Sequence, residues 1–309
     1  MELKIKIIIN PSSGRQTISQ TVNDIVGYLV EAKALYRADF CYTGAKDDAQ
    51  KYAAEILPGE YDLVMAVGGD GTVNEVVNGL MQSGTNTPLA VLPAGTVNDF
   101  ASSLDIPADP YSYSRMIIGG NKMQIDIGKA GSKYFLNVAA GGLLTDIAYK
   151  VPSDSKTSLG RMAYWLEGAK DIPANILKGL SLTIESKEDF FDDEALLFVI
   201  ANTMSVGGIK KLMPYAELND GLLDVLVVSK LEFGGLLPLL GKLLIGDHLS
   251  NDNVTYFQTD RLTLSTSGTE EIRLDLDGEE GDLIPITVEC IPGALTLIIP
   301  SNDDSVSEF

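Results

Sequence analysis

The chain has 309 residues, with 23 basic and 43 acidic side chains, a formal net charge of −20, and 45% hydrophobic residues. That length supports two domains with sizeable cores, and the charge excludes nucleic acid as the main partner, because a phosphate backbone needs a basic surface. Two cysteines, Cys41 and Cys290, and one histidine, His248, are too few for a disulfide framework, a cysteine zinc site or a His-dependent triad.

Residues 4–10 are a predicted strand dense in isoleucine, and no signal-peptide pattern precedes it, so a cytoplasmic protein is expected. Ile18, Val22, Ile25, Val26 and Leu29 recur at helical spacing over 17–34. A short strand at 38–42 and a helix at 47–56 follow, with Asp47 placed to cap that helix. Residues 62–67 form an apolar strand that runs into Gly68-Gly69-Asp70-Gly71. Residues 72–81 read as a helix, and 89–92 as another buried strand ending at Pro93-Ala94-Gly95. Continuous apolar strands alternating with helices predict a parallel sheet covered on both faces, a three-layer α/β domain.

The second half changes character. Residues 1–150 carry 12 basic and 16 acidic side chains, whereas 151–309 carry 11 and 27, which points to two differently built halves. A helix is predicted at 159–170. Short, turn-punctuated strands then follow at 180–185, 194–201, 222–228, 261–264, 271–276, 286–290 and 294–299, the pattern of a β-rich, sandwich-like domain. The leucine-rich stretch 231–249 holds Glu232, Lys242, Asp247, Pro238 and four glycines, too broken to span a bilayer. Its part at 235–245 is expected to be core, with His248 at the surface or at a helix end. The domain reading is 1–128 for the α/β part, with 295–309 as a candidate to rejoin it, and 129–294 for the β-rich part.

Three glycine-containing loops follow strands in the first half: Asn10-Pro11-Ser12-Ser13-Gly14-Arg15, Gly68-Gly69-Asp70-Gly71-Thr72 and Pro93-Ala94-Gly95-Thr96-Val97-Asn98-Asp99. In an open parallel sheet these strand ends share one edge, where ligands bind. Glycine permits close backbone approach, and the next helix offers free N–H groups and a positive dipole end. Phosphate is the ligand suited to that arrangement. None of the loops is G-x-G-x-x-G or G-x-x-x-x-G-K-[ST], which disfavours dinucleotide cofactors and Walker-type hydrolysis. A carboxylate at Asp70, among phosphates, calls for a divalent cation between them.

Val67 to Leu80, VGGDGTVNEVVNGL, and Leu92 to Ala101, LPAGTVNDFA, resemble the bacterial diacylglycerol kinase and related lipid kinase family. NPSSGR at 10–15, FLNVAAGG at 135–142, LGRMAYWLEGAK at 159–170, Asn202, Asp220-Gly221 and LDLDGEEG at 274–281 extend the resemblance over nearly the whole chain. It implies that Asn10, Pro11, Ser12, Ser13, Gly14, Thr43, Gly68, Gly69, Asp70, Gly71, Thr72, Val73, Asn74 and Thr96 bind ATP, joined by Arg15, Asn98 and Asp99. It implies a catalytic base in Asp277-Gly278-Glu279, with Asp277 and Glu279 both open, and Asp70 at the active centre, with Asp126 close by. It also implies a structural Mg²⁺ loop with the Asp220 carboxylate and the main-chain carbonyls of Glu217 and Leu222. The family fold places the site in the cleft between the two domains. Two departures stand out: Arg15 replaces the lysine of some members, and Ser102 stands where an arginine often follows Asn-Asp-Phe-Ala.

The expected activity is transfer of the ATP γ-phosphate to a lipid hydroxyl, diacylglycerol first, with Mg²⁺ and peripheral contact with a membrane. Phosphatidylglycerol or a sphingoid base as acceptor, NAD kinase activity, and nucleotide sensing without transfer are the competing readings, and a homodimer stays open. Without the resemblance, the acidic run at 275–282 reads as a charged hairpin turn, and Asp220-Gly221 as a plain β-turn.

Overall fold

A computed structural model describes residues 2–13, 18–95, 98–142, 179–207, 209, 211–231, 233–269 and 271–301. The chain divides into two compact units, Met1–Ile125 with Gly293–Phe309, and Asp126–Pro292. The helix expected at 159–170 lies outside the described residues.

The first unit runs β1 Leu3–Ile9, α1 Ile18–Glu31, β2 Leu35–Tyr42, α2 Asp48–Ala54, β3 Leu63–Gly68, α3 Asp70–Ser83, β4 Leu89–Pro93, α4 Asp99–Ser103 and α5 Pro110–Gly119. Its strands lie in the order β4-β3-β1-β2, all parallel. Alternation along β1 sorts its faces. Ile5, Ile7 and Ile9 pack with Val22, Ile25 and Leu29 of α1 and with Tyr113, Met116 and Ile117 of α5. Lys6 points the other way, and its Nζ donates to the Tyr52 carbonyl of α2 at 2.6 Å.

Helix α3 starts inside the glycine loop, at Asp70 rather than at residue 72, with extended Gly69 as its N-cap. It packs tightly on α2 through Gly79, where an added Cβ would lie 2.3 Å from the Gln50 carbonyl and 2.6 Å from the Ala53 Cβ. Alanine is normally the better helix former, so the sign of the effect is diagnostic. Gly79→Ala is expected to destabilise the protein by about 1–3 kcal/mol through overpacking, read as a lower midpoint in denaturant. A neutral or more stable variant would show that α2 can move aside.

Asp47 does not cap α2. It sits at φ 65 with no side-chain cap bond, and the Glu75 carboxylate of α3 instead accepts the N–H groups of Asp47 and Ala49, both at 3.1 Å. A carboxylate from a neighbouring helix thus serves the donors a local cap would have served.

Strand β5, Lys122–Ala130, leads into the second unit, which contains β6 Lys133–Phe135, β7 Val138–Gly142, β8 Leu180–Ser186, β9 Phe190–Ala201, β10 Leu223–Ser229, α6 Phe233–Ile245, β11 Val254–Thr259, β12 Arg261–Ser265, β13 Arg273–Leu276 and β14 Glu279–Leu283. Pairing among β7 to β14 is antiparallel throughout. Alternate residues such as Leu180, Leu182 and Ile184 enter a core with Phe135, Phe198 and Leu262. The two strands expected at 286–290 and 294–299 are one, β15 Ile286–Ile298. Its first part pairs antiparallel with β12, and Leu297 pairs parallel with Leu89 of β4. Pairing on both sides of Pro292 and Gly293, which read locally as a break, keeps it one strand.

Helix α6 places Leu239 and Leu243 in a second cluster with Leu212 and Met213. His248, expected at the surface or at a helix end, opens a short 3-10 turn and is buried, with its Nε2 2.8 Å from the Leu212 carbonyl. Because a carbonyl only accepts, Nε2 carries the proton. Among the described residues no helix is long and apolar enough to cross a membrane.

Candidate functional site

The four parallel strands of the first unit end at one edge; β1, β3 and β4 are each followed by one of the three expected loops, and β2 by Thr43. After β1, the Asn10 carboxamide accepts from the Ser12 N–H at 3.0 Å and from the Ser12 hydroxyl at 2.7 Å, closing an Asx-type turn over Pro11. Its Nδ2 donates to the Thr72 hydroxyl at 3.1 Å, tying the first loop to α3. The Ser13 N–H returns to the Asn10 carbonyl, and Thr43 after β2 donates to the Ile9 carbonyl. Gly14, Arg15 and Thr96 lie outside the described residues.

The loops after β3 and β4 touch backbone to backbone. A Cβ on Gly95 would lie 2.6 Å from the Gly69 Cα, and one on Gly68 would lie 2.5 Å from the Thr72 Cβ. Only glycine fits this approach. Asn98, at φ 51, locks the second loop: its Oδ1 accepts the Gly95 N–H and its Nδ2 donates to the Gly95 carbonyl, both at 2.8 Å. Asp70 is the first residue of α3, and its carboxylate accepts the N–H of Asp99 at 3.3 Å and of Phe100 at 3.4 Å. Asp70 therefore satisfies the opening amides of α4. The start of α3, at Gly69 to Thr72, presents a 14-residue helix's positive end at the same strand edge. Within this helix Thr72, Val73 and Asn74 are buried, and the Asn74 carboxamide oxygen accepts from Asn78. Gly71 completes the first turn.

Two residues the motif reading passed over shape this edge. Glu75 holds the start of α2, as described above. Asp48 accepts the N–H groups of Gly44 at 2.9 Å and Ala45 at 2.8 Å, and these donors hold its carboxyl below the usual carboxylate range. Both carboxylates fix the segment after Thr43. No linear signal announces Glu75, because the amides it serves lie in another helix.

In the second unit, β13 and β14 are joined by Asp277-Gly278 between paired Leu276 and Glu279. Both turn residues have positive φ, 53 and 88, as a two-residue hairpin of the Asp-Gly kind requires. The charged-hairpin reading is therefore what the backbone does. The turn also carries a specific arrangement: Asp277 accepts three main-chain N–H bonds, from Leu136 at 2.6 Å, Asn137 at 2.9 Å and Val138 at 2.8 Å. Its own N–H donates to the Val138 carbonyl. Both Asp277 oxygens are thus engaged by backbone, whereas Glu279, half-buried, opens β14 directly after the turn.

The segment 217–222 is a turn with Gly221 at φ 79. Asp220 accepts the Leu222 N–H at 2.9 Å, and the Gly221 N–H donates to the buried Asp126 carboxylate at 2.6 Å. Asp126 is thus a clamp on this turn, its own N–H going to the Leu218 carbonyl. Among the described residues no three His, Cys, Asp or Glu side chains converge as a metal cluster. The donors offered by Asp220 and by the carbonyls of Glu217 and Leu222 are all oxygen, the chemistry that suits Mg²⁺ or Ca²⁺. Close by, burial pushes the Asp224 carboxyl up against hydrogen bonds from Tyr256 and Gln258.

Comparison with known proteins joins these features. Residues 4–130 match the family model for the diacylglycerol kinase catalytic domain, and 144–299 match that for the YegS C-terminal NAD kinase beta sandwich-like domain. The chain is 37% identical over 283 residues to a diacylglycerol kinase of Bacillus subtilis, covering 91% of each. It is 36% identical over 288 residues to one of Staphylococcus saprophyticus, covering 92% of each. A crystal structure of a Bacillus anthracis protein assigned as a diacylglycerol kinase superposes with a TM-score of 0.83 at 28% identity, covering 99% of this chain and 98% of that one. With glycine loops converging on one strand edge in the first unit and a clamped acidic hairpin in the second, this chain belongs to the bacterial diacylglycerol kinase family.

Proposed function

We propose that the protein is an ATP- and Mg²⁺-dependent lipid kinase that phosphorylates diacylglycerol to phosphatidate. The observation that carries this reading is the end-to-end likeness to diacylglycerol kinases, 37% identical over 91% of the chain. It is supported by a strand edge whose loops suit phosphate. In the reaction the acceptor oxygen bonds to the γ-phosphorus, the bond from that phosphorus to its bridging oxygen breaks, and ADP leaves. Such transfer is mostly positioning and charge stabilisation. The loops at Asn10 to Gly14, Thr43, Gly68 to Asn74 and Gly95 to Asp99 hold and orient the triphosphate, aided by Arg15. Mg²⁺ carried with ATP would supply charge neutralisation, and the all-oxygen set of Asp220 with the Glu217 and Leu222 carbonyls would hold a separate, structural Mg²⁺. Asp70 lies at the phosphate edge, where an acid needs a cation beside it.

The acceptor is a primary alcohol and needs a carboxylate to take its proton. Of the two candidates, Glu279 is the base. Asp277 spends both oxygens on three backbone donors and sets the turn that presents Glu279. The acceptor is insoluble in water, so the enzyme works from the cytoplasm at the inner face of the membrane, by peripheral contact.

An ADP-release assay with Mg·ATP and separate acceptors tests the reading. Turnover is expected with diacylglycerol in mixed micelles and not with NAD. Activity confined to NAD, to sphingosine or to phosphatidylglycerol would replace diacylglycerol as the acceptor, and nucleotide binding without ADP release would support a sensor.

A further inference from the structure

Asn202, just past the end of β9, has no exposed surface. Its Nδ2 donates to the Asp126 carbonyl at 2.8 Å and to the Leu136 carbonyl at 3.3 Å. Its main-chain N–H donates to the Asn137 carbonyl at 2.9 Å. Its Oδ1 has no hydrogen-bond partner among the described residues. The opposite amide orientation would set that oxygen against two carbonyl oxygens, so the observed one is required. A buried acceptor without a partner is destabilising. An apolar side chain of the same shape would remove that burden, but it would also remove the two donors. The position is therefore explained by what the donors join, not by packing.

What they join are the two acidic segments of this unit. Asp126, held through its carbonyl, grips the 217–222 turn through the Gly221 N–H at 2.6 Å. Leu136, also held through its carbonyl, gives its N–H to Asp277 at 2.6 Å, beside those of Asn137 and Val138. We propose that Asn202 is a positioning residue for phosphoryl transfer, whose side-chain amide couples the 217–222 turn to the backbone clamp on Asp277 and so fixes the direction of Glu279. This rests on the reading of the 277–279 turn as the site of the base.

The test combines amide hydrogen exchange, on the protein without added metal, with steady-state kinetics on Mg·ATP and diacylglycerol micelles. In Asn202→Leu, exchange at residues 136–138 and at Gly221 is expected to accelerate together, by about tenfold or more, against unchanged strands β8 and β12. Catalysis should follow in kcat, down about tenfold, with KM for ATP within about twofold, because the nucleotide loops lie in the other unit. Asn202→Ser keeps one donor and should recover part of both effects; it also serves if the leucine variant folds poorly. Acceleration at only one of the two segments, or spread evenly over the unit, overturns the coupling. Faster exchange with unchanged kcat overturns the positioning role. A wild-type protein inactive on diacylglycerol defeats the lipid kinase reading and the positioning role with it, while the exchange pattern still decides whether Asn202 couples the two segments.

Discussion

Replacing Glu279 by glutamine is expected to lower kcat on diacylglycerol by about 10²–10⁴-fold, the usual contribution of a positioned general base. KM for ATP should change little, because the nucleotide loops belong to the other unit, and because glutamine keeps the size of the half-buried side chain the variant should melt close to the wild type. Asp277→Asn should behave differently. Asparagine tolerates the φ of 53 at this position, but its amide group presents donors to amides that are themselves donors. At least one of the bonds to Leu136, Asn137 and Val138 is lost, so thermal stability should fall together with kcat. Thermal unfolding measured beside turnover separates the two roles. If Glu279→Gln keeps full activity while Asp277→Asn loses it without loss of stability, the assignment is reversed and Asp277 is the base.

Gly95→Ala is expected to weaken nucleotide binding by about 10²-fold, the scale on which an ångström of misplacement costs catalysis. The new methyl group would lie 2.6 Å from the Gly69 Cα and 2.8 Å from the Asn98 Oδ1. Neither neighbour can yield cheaply. Gly69 is backbone at the cap of α3, and Asn98 is already engaged at both ends of its amide with Gly95 itself. The loops after β3 and β4 would have to separate, and the N–H groups they aim at phosphate would separate with them. Titration of Mg·ATP by calorimetry reads the effect directly. Unaltered affinity would mean that the 95–99 loop does not contact the nucleotide.

Much of the first unit was legible because its signals are local. Continuous apolar strands alternating with amphipathic helices specify parallel order, and the glycine loops mark the strand ends. The readings that failed were those in which a distant group replaced a local one. Asp47 has the residue type of a cap, but Glu75 reaches across from α3 and takes the donors. Pro292 and Gly293 have the composition of a break, but β12 and β4 pair on either side of them and keep the strand whole. His248 has the polarity of a surface residue, yet a carbonyl at Leu212 satisfies its one N–H within the core. Tertiary partners override local preference in each case.

The site divides in the same way. Sequence alone determined that Asp277-Gly278 would turn a hairpin, because that dipeptide is suited to two successive positive φ values. The strand that Glu279 opens, β14, had no counterpart among the strands expected from sequence, whereas Gly68, Gly69 and Gly95 were legible as places where backbone can approach closely. Only the tertiary structure showed that backbone amides hold Asp277, because those amides come from Leu136 to Val138, more than a hundred residues earlier. Likewise the resemblance marks Asn202 but not what it bonds, since its two acceptors, Asp126 and Leu136, lie 76 and 66 residues away. A hydrogen bond between distant segments follows from the fold's pairing of strands, and no spacing along the chain encodes it.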